Sequence, residues 1–233
     1  SKNDARLAAE VLVAADLRGV ASHGVAHLER YVNGLQNGTI NPRPQEKLIA
    51  ESAATATMDA DAGLGQPVSV RAMQSAIEKA RAVGAGFVSV RNSNHFGIAG
   101  YYAMLALSQD CIGIAMTNAS PRVVPTFGRD ATLGTNPIAV AAPAATAPPF
   151  VLDMATSAVA QGKLEIADQL GKSIPEGWAI DKDGKPATDS HRALDELRQR
   201  AGGGLLPLGG AGDLLSGYKG YGLVLVFGLL AGT

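Results

Sequence analysis

Apolar residues in the first part of the chain recur at helical spacing. Leu7, Val11 and Ala15 lie four residues apart, which places them on one face of a helix over about 4–17. Similar spacing returns in "VAHLERYVNGLQNG", where Gly38 is the expected C-cap. The two glycines of "RGVASHG" interrupt the pattern between these segments. We therefore predict two helices joined by a short break.

Short strand-like runs alternate with helical patterns further along the chain. "LIAESAATATMDA" predicts a strand pair, "LGQPVSVRAMQSAIEKARAVG" a long helix ending at Gly84, and "AGFVSVRNS" a strand. Strands are also predicted in "CIGIAMTN", "GTNPIAVAAP" and "PFVLDMAT", and helices in "GYYAMLALSQD" and "SAVAQGKLEIADQLG". This alternation is typical of layered α/β proteins. No G-x-G-x-x-G sequence follows a strand and opens a helix, so the usual dinucleotide-binding fingerprint is missing.

Composition narrows the class of protein. The 233 residues are 46% hydrophobic and 18% charged, which is typical of a globular protein with a sizeable core. The net charge of -1 gives no reason to expect nucleic acid or an anionic membrane as a partner. A single cysteine, Cys111, excludes an intrachain disulfide and favours a reducing, cytoplasmic location. The apolar run "GLVLVFGLLAG" is too short to cross a bilayer and predicts a buried helix.

Two histidines stand at positions suited to proton exchange. His23 lies in "SHG", where a helix start would favour a neutral imidazole; alternatively, Ser22 simply caps the second helix and His23 follows it. His95 lies in "NSNHFG" directly after a predicted strand, and active-site groups collect at the carboxyl ends of such strands. The alternative there is an asparagine-rich turn with an exposed histidine. The histidines are not spaced as metal ligands, so no metal is expected.

Two further stretches suit an anion. "VLDMATS" places Asp153, Thr156 and Ser157 after a predicted strand and at a predicted helix start, where backbone N–H groups can bind a cofactor phosphate. An ordinary N-cap formed by either hydroxyl residue has the same signature. In "GYKGYG", Lys219 can approach a phosphate or carboxylate with little obstruction from its glycine neighbours, or it can be a solvated lysine in a flexible turn.

Taken together and in order, several motifs resemble one family. They are "ADLRGVASHGVAHLERYVNGLQNG", "NSNHFGIAGYYA", "GTNPIAVAAP", "VLDMATS", "IPEGWAIDKDGKPATD", "LLPLGG" and "GYKGYGL". The chain is similar over nearly its whole length to the malate/L-lactate dehydrogenase family, which also contains sulfolactate, ureidoglycolate and diketogulonate enzymes. The resemblance implies an NAD- or NADP-dependent dehydrogenase that interconverts 2-hydroxy and 2-oxo acids. It also implies an α/β fold, with a non-Rossmann three-layer domain around a mixed sheet plus a helical domain, and a homodimer.

The resemblance also implies roles for individual residues. His23 is the preferred proton donor or acceptor, and His95 is the second catalytic histidine. Substrate contacts are implied for Ser22, His27, Arg30 and Asn136. Cofactor contacts are implied for Ser120, Asp153, Met154, Ala155, Thr156, Ser157, Lys219 and Gly220. His27 stands where many members of the family carry arginine, and Arg30, further along the same predicted helix, can take over that function.

The motifs divide the chain into three expected regions. Residues 1–60 form a helical segment that carries "SHG", 61–200 an α/β cofactor-binding domain, and 201–233 a glycine-rich return segment that carries "KGYG". The family normally continues beyond this point, so we expect the native chain to extend past residue 233. Two alternatives remain: a cyclic imine (imino acid) reductase of the same family, and a catalytically silent nucleotide-binding homologue.

Overall fold

A computed structural model describes residues 1–231, which form two compact units. Unit 1 contains Ser1–Ala115 and Ala139–Asp153, and unit 2 contains Met116–Ile138 and the chain from Met154 onward. These units are defined by packing. The functional division at 1–60, 61–200 and 201–233 stays a prediction.

Unit 1 begins with the two helices that periodicity predicts. Helix α1 spans Lys2–Leu17, and Ser1 caps it by accepting a hydrogen bond from the backbone N–H of Asp4. Helix α2 spans Leu28–Asn37 and ends at Gly38, whose φ of 80° is the left-handed conformation that favours glycine. The break between them consists of two 3₁₀ turns, Ala21–His23 and Val25–His27. Because α2 starts only after His27, Ser22 lies too far upstream to cap it.

A mixed three-stranded sheet follows in unit 1. It contains β1 (Lys47–Glu51), β2 (Thr55–Asp59) and β3 (Phe87–Arg91), with β1 antiparallel to β2 and β2 parallel to β3. A parallel pair needs a crossover connection, and helix α3 (Gly65–Val83) supplies it. The α3 helix ends at Gly84, as predicted. This arrangement confirms the α/β class with a mixed sheet.

A second sheet packs against a short helix. It orders β4 (Gly113–Met116), β5 (Ile138–Ala142) and β6 (Phe150–Met154) side by side. Helix α4 (Ala99–Leu105), continued by a 3₁₀ turn at Ala106–Gln109, contributes buried alanines to a cluster with alanines of β5. Small side chains at this contact let the helix and the sheet approach closely.

Unit 2 has its own core. Its helices are α5 (Gln161–Gln169), α6 (Ser190–Gln199) and α7 (Gly217–Ala231), and its strands β7 (Ala179–Ile180) and β8 (Gly204–Leu205) pair antiparallel. The core residues include Val123, Leu164, Ile174, Leu194, Leu197 and Leu205.

The structure corrects the predicted helix start at "DMATS". Helix α5 begins at Gln161, and the preceding residues are irregular. The Thr156 hydroxyl donates to the carbonyl oxygens of Thr135 and Asn136, and the Ser157 hydroxyl donates to that of Val159. Both hydroxyls therefore bond to carbonyls instead of accepting from N–H groups as caps do.

The predicted buried helix at "GLVLVFGLLAG" is only half correct. Residues 222–231 of this run belong to α7, and Val224 and Phe227 on one side of the helix are buried. The other side is exposed at Leu223, Leu225, Val226, Leu229 and Leu230. Within residues 1–231, no helix is both long enough and apolar enough to cross a membrane.

Candidate active site

A carboxylate at the end of α1 fixes the break that carries His23 and His27. Asp16 Oδ2 accepts a hydrogen bond from the backbone N–H of Val25 at 2.9 Å, at the start of the second 3₁₀ turn. A Cβ added at Gly24 would overlap this carboxyl group, lying 2.6 Å from Oδ2 and closer still to its other atoms. Asp16 was not predicted from the sequence. Its one signal was a carboxylate in the last turn of a helix, where the dipole disfavours it.

His95 follows β3 on a tightly held turn. The amide of Asn94 donates to the carbonyl oxygens of Ala62 at 2.8 Å and Gly63 at 3.0 Å, so Asn94 holds a neighbouring loop and does not bond to the ring. Gly97 has a φ of 82°, and a Cβ there would lie 2.7 Å from a methyl group of Val11. The turn therefore requires glycine at this position on two grounds, backbone conformation and space.

Three imidazole rings meet in unit 1. The ring centroids of His23 and His27 are 5.8 Å apart, those of His23 and His95 5.6 Å, and those of His27 and His95 5.3 Å. Tyr31 from α2 completes the group, with its hydroxyl oxygen 2.5 Å from His95 Nδ1. The Ser22 hydroxyl oxygen lies 3.0 Å from His23 Nδ1. We call His23, His27, Tyr31 and His95 the histidine pocket. Tyr31 was not predicted as a site residue, because it contacts His95 only in the folded chain.

Burial and nearby positive groups favour the neutral form of His23 and His95. Burial lowers the pKa of His95 to about 3, and the charges of Arg30, His23 and His27 act in the same direction. Burial also lowers the pKa of His23, with further contributions from His27 and Arg30. Burial raises the pKa of Tyr31 to about 12, although Arg30 and the Gln66 side chain oppose that shift. The neutral forms of His23 and His95 are therefore favoured beside a protonated phenol, and a bound anion would offset the repulsion.

Arg30 supplies a cation next to the pocket. It is exposed on α2, and within residues 1–231 no acidic group forms an ion pair with it. A guanidinium in this state can bind a carboxylate through two parallel hydrogen bonds. The part of the chain that the structure describes contains no group of three or more histidine, cysteine or acidic side chains arranged to hold a metal ion.

Of the predicted cofactor residues, Asp153 belongs to unit 1. It lies on β6, and its carboxylate accepts a hydrogen bond of 2.7 Å from the backbone N–H of Gly100 in α4. Partial desolvation of its carboxyl group raises the pKa of Asp153, and the Gly100 hydrogen bond and the charge of Arg18 oppose that shift. The residue as a whole is exposed. This contact ties β6 to α4, and the cofactor role stays a prediction.

Asn136 lies in unit 2 and is fully engaged with the backbone. Its side-chain oxygen accepts from the N–H of Ala119 at 3.0 Å, and its side-chain nitrogen donates to the carbonyl of Val224 at 3.0 Å. Thr156, which bonds to the Asn136 carbonyl, and Ser157 are likewise buried. These residues hold loop segments together, and their predicted substrate and cofactor roles remain untested.

The remaining predicted cofactor residues of unit 2 differ in exposure. Lys219 lies in the first turn of α7 and is exposed, and Ser120 is exposed in a loop. Gly220 is buried, and a Cβ there would overlap the backbone of Leu208. "GYKGYG" is thus the start of a helix, and its glycines allow close packing.

The structure therefore defines an α/β protein in which three histidines and a tyrosine cluster, and comparison with known proteins gives its family. A family model described as malate/L-lactate dehydrogenase matches residues 1–233, and the chain belongs to this family. A malate dehydrogenase of Pyrococcus abyssi is 53% identical over 231 residues, covering 99% of this chain and 62% of the relative. An L-sulfolactate dehydrogenase of Methanocaldococcus jannaschii is 48% identical over 230 residues, with coverage of 99% and 62%.

Solved structures of related dehydrogenases share the fold of this chain. A crystal structure of malate dehydrogenase from Entamoeba histolytica matches with a TM-score of 0.94 at 39% identity, covering 98% of this chain and 63% of that one. This likeness confirms the predicted fold class. The chain spans about 62% of the length of the curated relatives it matches.

Proposed function

We propose that the protein is a dehydrogenase that transfers a hydride between the nicotinamide of NAD or NADP and a small 2-hydroxy or 2-oxo acid. The observation that carries this proposal is the histidine pocket, in which rings with lowered pKa values lie beside the cation of Arg30. Proton exchange and carboxylate binding are the two tasks that such a reaction asks of the protein. The family supports the same reaction.

His23 is the proposed proton donor in the direction of reduction. When hydride reaches the carbonyl carbon, the developing alkoxide needs a proton from a group that titrates near neutrality. His23 has a lowered pKa, and its Nδ1 faces the Ser22 hydroxyl, which leaves Nε2 as its second nitrogen for the substrate oxygen. A bound carboxylate beside Arg30 raises the pKa of His23 again, which allows the ring to carry the proton it delivers.

We propose a substrate with two acidic groups. The relatives named malate and sulfolactate dehydrogenase act on acids of this kind. In this chain Arg30, His27 and Ser22 surround His23 with one cation and several hydrogen-bonding groups, which suits more than one anionic group. Asn136 is kept as a proposed substrate contact, although both polar ends of its amide already bond to backbone.

In unit 2, Lys219 is the residue best suited to bind a dinucleotide cofactor. Its ammonium lies at the N-terminal end of α7, where the helix dipole is also positive, and this combination suits the phosphates of a dinucleotide. Ser120, Gly220 and the stretch 154–157 are proposed as further contacts, those of Thr156 and Ser157 through their backbone because their hydroxyls are already bonded. Asp153, which belongs to unit 1, is kept as a proposed cofactor contact. The cofactor supplies the hydride acceptor or donor.

We also propose that the protein is a cytoplasmic homodimer. The single cysteine supports the location. Apolar side chains exposed around the 3₁₀ turns and their neighbouring helices support association, since Leu17, Val25 and Leu28 are 83%, 48% and 49% exposed.

A substrate screen tests this proposal. Oxidation of NADH and of NADPH is followed by nicotinamide absorbance with oxaloacetate, sulfopyruvate, pyruvate and a cyclic imino acid, using the native protein. We expect the fastest turnover with an acid that carries two anionic groups, and the preferred nicotinamide follows from the same data. Faster turnover of the imino acid would instead identify a cyclic imine reductase. Nicotinamide binding without turnover of any compound would identify a silent homologue.

A further inference from the structure

Two hydrogen-bond donors converge on one nitrogen of His95. The Tyr31 hydroxyl oxygen lies 2.5 Å from Nδ1, and the backbone N–H of Gly97 points at the same atom from 3.4 Å. A backbone N–H can only donate, so it favours a ring whose Nδ1 carries no hydrogen. The high pKa of Tyr31, about 12, keeps the phenol protonated around neutral pH. The phenol is therefore able to donate to the same nitrogen.

A buried amide, that of Gln66, acts on the Tyr31 hydroxyl. The Gln66 side chain is fully buried near the start of α3, and among residues 1–231 neither end of its amide has a close hydrogen-bond partner. A buried amide without a partner is costly, and Tyr31 is the group whose ionisation this amide affects. An N–H from Gln66 aimed at the phenol oxygen leaves the phenol hydrogen to point toward His95.

We propose that Tyr31 is a positioning residue that holds His95 in the tautomer with its hydrogen on Nε2, and that Gln66 orients Tyr31 for this purpose. The neutral His95 ring then presents an N–H donor, and not a lone pair, at its second nitrogen. The catalytic consequence rests on the proposed function. His95 donates a hydrogen bond to the substrate oxygen at the reacting carbon, while His23 exchanges the proton.

Nuclear magnetic resonance of the ring nitrogens tests this directly. The native protein is labelled in histidine and studied without cofactor or substrate at neutral pH. Only four histidines are present, so His95 is assigned with a His95→Gln variant. We expect Nδ1 of His95 to resonate as an unprotonated acceptor and Nε2 as a protonated nitrogen. A wild-type His95 with its hydrogen mainly on Nδ1 overturns the proposal without any need for a further variant.

Variants assign the effect to Tyr31. The Tyr31→Phe variant should shift the tautomer ratio of His95 by roughly tenfold toward the Nδ1–H form, the change expected from one hydrogen bond. Gln66→Met should shift it less, in the same direction. The matched control is Tyr102→Phe, which removes the hydroxyl of an equally buried tyrosine that bonds to the carbonyl of Phe96, and it should leave the ratio unchanged.

The outcomes separate this proposal from the proposed function. An unchanged ratio in Tyr31→Phe contradicts the positioning role of Tyr31, and an unchanged ratio in Gln66→Met contradicts the orienting role of Gln66. If the tautomer and its response to Tyr31→Phe are as expected but no 2-oxo acid is turned over, the proposed function fails and the positioning role stands.

Discussion

Replacing Gly24 by alanine tests how the "SHG" turn is held. Gly24 has a negative φ of −90°, so no left-handed backbone conformation reserves this position for glycine. The obstacle is the Asp16 carboxyl group, which occupies the position of the new methyl group. To make room, Asp16 must swing away and give up its hydrogen bond of 2.9 Å to the Val25 N–H.

The expected cost follows from these two effects. Losing a hydrogen bond to a charged group costs about 1.5–3 kcal/mol when it is buried, and less at this exposed carboxylate, so Asp16→Ala should cost about 1 kcal/mol. Gly24→Ala should cost about 2 kcal/mol, because overpacking adds to the lost bond. In the double variant the methyl group meets no carboxylate and the hydrogen bond is lost only once, so this variant should cost about 1 kcal/mol, about 2 kcal/mol less than the sum of the two single costs.

Urea unfolding measures the free energy of unfolding of the native protein, the two single variants and the double variant, provided that the m-value stays the same. Gly222→Ala is the matched control, because a Cβ at Gly222 has no atom within 4 Å and alanine favours the helix. Costs that add to within about 0.5 kcal/mol would refute the account of the turn, because uncoupled positions behave in that way. Turnover should fall in Gly24→Ala and recover in part in the double variant.

Three further predictions concern the same unit. Because the folded pKa of His95 is about 3 and its ordinary value is 6.5, the unfolded chain binds more protons between these values, so stability should fall as the pH falls through this window. His95→Gln should reduce that slope in acid denaturation, whereas an equally steep slope would contradict the shifted pKa. Gly97→Ala should cost more than about 1 kcal/mol in urea unfolding, since it adds a strained φ to a contact of 2.7 Å with Val11; a neutral result would contradict the fit of this turn. Arg30→Ala should raise KM for a 2-oxo acid with two anionic groups by about tenfold or more and leave the unfolding midpoint nearly unchanged, and an unchanged KM would remove Arg30 from the substrate site.

Local patterns were sufficient to predict most elements of unit 1. Helices α1, α2 and α3 follow from apolar spacing and from glycines placed where each pattern stops. The start of α5 was wrong because hydroxyl residues that cap a helix and hydroxyl residues that bond to loop carbonyls have the same sequence signature. The helix α7 was predicted, but its exposed side was not, because an apolar run does not reveal which of its faces is covered.

The pocket itself was only partly predictable. His23 and His95 were found through their motifs, but the contact of Tyr31 with His95 joins residues that are 64 positions apart. Tyr31 also belongs to the regular apolar spacing of α2, which conceals a polar role. The contact between Asp16 and Gly24 was equally hidden from the sequence. Only the folded turn shows that the Asp16 carboxyl group occupies the space that the missing side chain of Gly24 leaves open.

The most direct test of the account compares the native protein with two histidine variants. Oxidation of reduced nicotinamide by oxaloacetate or sulfopyruvate is measured for the native protein, for His23→Gln, and for His191→Gln as the control, since His191 is an exposed histidine paired with Asp168 in unit 2. The account predicts turnover by the native protein, a loss of about a hundredfold or more in His23→Gln, and little change in His191→Gln. No turnover by the folded native protein, or equal rates in all three proteins, would contradict it.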